Sequence, residues 1–136
     1  MKILLAVDGS PHSLDTVKSV IRQVEWYREK PVIELITVHR PVPKIGGLGA
    51  AVSKAQIERY YEEEGEKALA AAKKALDSAR LSYEARVLVG DPPEVIVKHA
   101  KSAGCDLICI GTPANWLGTT ANKVLRLAET PVMLVK

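Results

Sequence analysis

The sequence predicts an α/β domain: a three-layer open sheet of five parallel strands with helices on both faces. Three observations carry this. Short apolar runs alternate with longer amphipathic stretches along the chain, in the order strand, helix, strand through to a final strand. The first run, Lys2 to Val7, is nearly continuous in apolar residues, as a strand buried on both faces should be. The stretch Asp106 to Val135 reads as strand, turn-rich loop, helix, strand, which is one βαβ unit.

Taken in order, KILLAV is followed by the turn residues Asp8, Gly9 and Ser10. Ser10 is placed to cap a helix with Pro11 at its first position. Leu14, Val17, Ile21 and Val24 repeat at helical steps, and this helix is expected to run to about Glu29, before Pro31. Trp26 and Tyr27 are expected to cover its end. Val32 to Val38 is the second strand. The segment from His39 to Ala51 is rich in proline and glycine and reads as a long loop. Ser53 to Ala79 is a long helix, with Tyr61, Gly65, Ala68, Ala72, Ala75 and Ala79 on one small-residue face beside Leu69 and Leu76.

Ser82 to Val89 alternates. Tyr83, Ala85, Val87 and Val89 oppose Glu84, Arg86 and Leu88, as in an edge strand with one wetter face. Pro93 to Ala103 is a short helix with Val95, Ile96, Ala100 and Ala103 inward, stopped by Gly104. Asp106 to Ile110 is the fourth strand. Ala121, Val124, Leu125 and Ala128 mark the last helix, Pro131 ends it, and Val132 to Val135 is the fifth strand. In an open parallel sheet a ligand sits beyond the carboxyl ends of the strands, so the loop from Gly111 to Thr119 is the expected place for one.

At 136 residues the chain is expected to form one domain, residues 1–136. A net charge of +3 with scattered basic residues does not argue for nucleic acid. No run approaches the roughly 20 apolar residues of a membrane span, and the N-terminal run is shorter than the ~7–15 residues of a signal-peptide core. A cytoplasmic location is expected. Cys105 and Cys109 are roughly 13 Å apart along an extended chain, beyond the Cα separation of about 4.4–6.8 Å that a disulfide allows. Both are expected to be ordinary buried thiols, and no metal site is expected.

Four segments resemble the universal stress protein domain, in the right order and over the whole chain. They are KILLAVDGSPHSLDTV, VHRP, GDPPEVIVKHAKSAGCDLICIGT and NKVLRLAETPVMLV. The resemblance implies a fold like that of the adenine nucleotide α-hydrolases, with strand order 3-2-1-4-5 and the last strand at an edge. It also implies candidate nucleotide-binding residues Asp8, Gly9, Ser10, Val38, Gly111, Gly118, Thr119 and Thr120. ATP-binding members carry Gly, two residues, Gly, nine residues, Gly, then Ser or Thr after the fourth strand. Here Gly111 matches the first glycine and Ala114 stands where the second belongs. Gly118–Thr119 follows after seven residues instead of thirteen. Ala114 restricts a backbone that must face an anion, Pro113 removes a donor, and Trp116 adds bulk, expected to fill the space left by the shorter loop, with stacking on a base as the alternative.

The resulting expectation is a stress-response regulator or interaction protein without tight ATP binding. The alternative is a regulator that binds ATP or AMP with magnesium at the same site, and a slow nucleotide hydrolase is a third reading. A receiver-domain reading of Asp8 fails for want of acidic neighbours in Ile3 to Val7, and Asp8-Gly9-Ser10 departs from the Ser-Gly-Gly loop of ATP pyrophosphatases. Asp8 could equally satisfy loop N–H groups near the first helix. His12, His39 and His99 are expected at the surface or its boundary. No nucleophile–base motif appears, so no enzyme is predicted and no catalytic residue is named. Val132, Met133, Leu134 and Val135 form an apolar run at what the resemblance makes an edge. A homodimer pairing this strand with its copy is therefore expected, beside an unknown protein partner.

Overall fold

The computed structural model describes residues 1–42, 53–112 and 119–136. Its strands are β1 (Lys2–Ala6), β2 (Val32–His39), β3 (Tyr83–Val89), β4 (Leu107–Gly111) and β5 (Val132–Val135). Its helices are α1 (Pro11–Gln23), α2 (Lys54–Ser78), α3 (Pro92–Ser102) and α4 (Thr119–Leu127). The sheet is parallel throughout, in the order β3-β2-β1-β4-β5. This is the predicted fold and strand order.

Strand periodicity sorts the core into two layers. Ile3, Leu5, Ile33 and Leu35 point to one face, where Val17 and Val20 of α1 and Leu69 and Leu76 of α2 cover them. Leu4, Ile36, Ile108 and Ile110 point to the other, beneath Ile96 and Ala100 of α3 and Ala121 and Val124 of α4. The central strand thus buries both faces, which is why KILLA has no polar alternation. Because β1 sends its chain to β2 on one side and pairs β4 on the other, the order reverses beside β1. A crevice opens at that switch point, above the carboxyl ends of the strands.

Several local expectations are corrected. The first helix is α-helical only to Gln23 and tightens into a 3-10 turn at Val24–Trp26. Tyr27 then leaves in an extended conformation and packs against the α1–α2 core layer, while Trp26 is 68% exposed. The alternation of β3 holds from Tyr83 to Val87 but reverses at its end: Leu88 packs under the α3–α4 layer and Val89 is exposed. Leu125 of α4 is exposed as well. Cys109 is buried but Cys105 only partly so.

The long helix begins with a capping box: Ser53 Oγ accepts from Gln56 N and Gln56 Oε1 accepts from Ser53 N. α2 is too polar to cross a membrane, and no helix among the described residues is long and apolar enough to do so.

Candidate functional site

A cleft of about 390 Å³ occupies the switch point. Asp8, Val38, Gly111, Thr119 and Thr120 line it, so five of the eight predicted residues meet there from four different segments. Gly9 and Ser10 are not on its wall. Their role is to shape the turn: Gly9 has φ +82°, and a Cβ there would come to 3.0 Å from Ala68 Cα of α2. Ser10 Oγ accepts from Ser13 N at 3.1 Å, capping α1 as the sequence predicts. Gly118, Ala114, Pro113 and Trp116, like most of the predicted 39–51 loop, lie outside the described residues.

Asp8 is held by its own loop. Its Oδ1 accepts from Ser10 N at 2.9 Å, and its backbone N–H donates to Ser13 Oγ at 3.1 Å. The carboxylate is exposed, so it satisfies a loop N–H and faces the cleft at once.

α1 supplies wall residues that sequence reasoning did not place: His12, Ser13 and Thr16. Thr16 is buried, and its hydroxyl donates to His12 O at 3.2 Å. A Cβ on Gly111 would collide with Thr16 Oγ1 and come to 3.2 Å from His12 Nε2. The first glycine of the resembling motif is therefore required here by the close approach of α1 to β4. His12 Nε2 is itself buried and has no hydrogen-bond partner among the described residues. The signal for Ser13 and Thr16 was present: they continue the buried stripe of Val17 and Val20, and polar residues on such a stripe mark a wet end of the helix. Arg40, also on the wall, pairs with Asp91 at 3.1 Å across an exposed rim. Asp91, at the N-cap of α3, makes no side-chain cap bond, and Pro92 and Pro93 at the first two helical positions have no N–H to offer it.

A second polar cluster lies away from the cleft, near the start of β2. Glu34, nearly fully buried, accepts from Arg86 Nε at 2.6 Å and lies 2.8 Å from His99 Nε2. His99 thus sits at the boundary, as expected, and is bonded there to Glu34. Burial pushes the Glu34 carboxyl up, but hydrogen bonds from His99 and Arg86 outweigh it and leave the group below its ordinary range. Glu34 was missed because one carboxylate inside an apolar strand reads as a solvated interruption.

The sequence profile of the Universal stress protein family matches residues 1–136. A universal stress protein of Methanocaldococcus jannaschii is 32% identical over 99% of this chain and 81% of its own. Among solved structures, a universal stress protein of Archaeoglobus fulgidus in complex with dAMP superposes with a TM-score of 0.68 at 23% identity, covering all of this chain and 98% of that one. A family member from Arabidopsis thaliana with AMP bound superposes at 0.74 with 19% identity, over all of this chain and 91% of that one. The two structures share the fold, and the profile and the archaeal sequence share the family. This chain belongs to the universal stress protein family.

Proposed function

We propose that this chain is a regulatory stress-response protein whose cleft takes an adenine nucleotide with a short phosphate chain and does not bind ATP tightly. The convergence of Asp8, Val38, Gly111, Thr119 and Thr120 on one cleft at the switch point carries the reading. By family resemblance, Asp8 and the Val38 backbone meet the adenosine end. Thr119 and Thr120 open α4, and the N-terminus of a helix favours an anion. The AMP- and dAMP-bound relatives support a monophosphate. The loop between Gly111 and Gly118–Thr119 argues against a triphosphate: it is six residues shorter than the motif of ATP-binding members and has Ala114 where that motif has glycine. Magnesium is not needed for a single phosphate held by N–H donors.

The role proposed is binding and not turnover. Ser13 Oγ takes an N–H from Asp8, and Thr16 Oγ1 donates to a carbonyl, so the hydroxyls of α1 are engaged with backbone groups. Titration calorimetry with AMP and with ATP and magnesium tests the reading. AMP is expected to bind the more tightly, and submicromolar ATP would overturn it.

Self-association through β5 belongs to the same proposal. β5 pairs β4 on one side and ends the sheet on the other. Val132 and Met133 pack on opposite core layers and Val135 is buried, which accounts for most of the apolar run. Leu134 remains 37% exposed and shares a surface cleft with Trp26. The unpaired edge together with these two side chains fits a second copy of this chain across a two-fold axis.

A further inference from the structure

We propose that His12 reads the phosphate of the bound nucleotide, donating from Nε2 to a phosphoryl oxygen. The inference rests on the nucleotide reading of the cleft and adds a recognition residue to it.

His12 occupies the second position of α1, immediately after Pro11. His12 lines the cleft with its Nε2 set against Gly111, and Thr119 and Thr120 of the α4 N-terminus line the same cleft. The N-terminal turns of two helices thus border the space beside the ring, and both favour negative charge. Nε2 is buried and has no partner among the described residues, although Thr16 engages the backbone carbonyl of the same residue. A buried polar atom left unpaired is unfavourable, and in native proteins it commonly marks a missing ligand or water. Arg40, a cationic side chain on the described wall, is already paired with Asp91 at the rim. An imidazole with its proton on Nε2 is a donor, and a phosphoryl oxygen supplies the acceptor that the described wall lacks there. Adenosine, without that oxygen, leaves His12 unpaired.

Binding of AMP and of adenosine is compared by calorimetry for the unmodified chain, His12→Ala and His12→Gln. Ring ¹⁵N shifts of the unmodified chain are followed during AMP titration. We expect His12→Ala to weaken AMP roughly tenfold or more, the range of a hydrogen bond to a charged group, and to leave adenosine unchanged. His12→Gln, whose amide also donates, should recover part of the loss. One histidine ring signal should move with AMP and be absent from His12→Gln. If AMP and adenosine bind but His12→Ala alters neither, or both equally, the assignment of His12 is overturned while the cleft reading stands. If the unmodified chain binds neither ligand, the nucleotide reading fails and this inference with it.

Discussion

Glu34 and His99, 65 positions apart, meet through Oε1 and Nε2 at 2.8 Å beneath α3. Arg86 of the neighbouring strand donates to the same oxygen, and its guanidinium reaches on to Glu84 at 2.7 Å. Position 34 opposes Glu84 in the β2–β3 register, so Arg86 sits between two carboxylates and keeps them from facing each other unscreened.

This network predicts a pH-dependent contribution to stability. The Glu34 carboxyl is below its ordinary value of 4.5 in the folded chain. Its contribution is therefore fully present above that value and is lost as pH falls through the lower folded value. Glu34→Gln should destabilise by about 1–3 kcal/mol at pH 7, the range for a buried hydrogen-bonded charge. The gap between the two proteins should narrow in urea melts at more acidic pH. An equal gap at all pH values would show that packing, not ionisation, is what Glu34 supplies.

Gly65 sits within the 25-residue helix α2. A Cβ there would come to 2.9 Å from Val87 Cβ and would overlap both Val87 methyl groups. Ala is favoured over Gly in a helix interior by roughly 1 kcal/mol, whereas overpacking typically costs about 1–3 kcal/mol. Gly65→Ala should therefore destabilise in chemical denaturation, and Val87→Ala in the same chain should recover part of the loss. A more stable Gly65→Ala protein would mean that α2 can move off β3 freely.

Both thiols should be slow to react. Burial pushes Cys109 up to about 11 and raises Cys105 as well, so little thiolate exists near neutral pH. Iodoacetamide at pH 8, read by mass spectrometry, should label neither quickly in the folded chain and both in urea. Cys105, being partly exposed, should be the faster of the two. Rapid native labelling of Cys109 would contradict its place in the core.

The β5 surface is tested by sedimentation. A dimer is expected at about 10⁻⁵ M, where a typical specific interface is formed. Leu134→Lys should shift it toward monomer by placing a charge on the shared contact, and Trp26→Ala should weaken it if the adjoining cleft belongs to the interface. A monomeric unmodified chain at that concentration would refute the pairing.

Local chemistry by itself determined the elements. Apolar runs and helical periods marked five strands and four helices, Ser10 with Pro11 marked a helix start, and their alternation required a parallel sheet with its ligand crevice at the strand ends. Those signals are local because each element must bury its own face. The order of the strands came from resemblance to a family, since periodicity does not say which strand lies beside which. Tertiary structure alone decided the rest. Glu34 finds Arg86 and His99 only after β2, β3 and α3 assemble. Gly111 is constrained by Thr16, from a helix nearly a hundred residues earlier in the chain. Trp26 is exposed because Tyr27, and not its larger neighbour, turns into the core. His12 joins the cleft because α1 lies close against β4. Each of these depends on a contact between distant segments, and no window along the chain contains both partners.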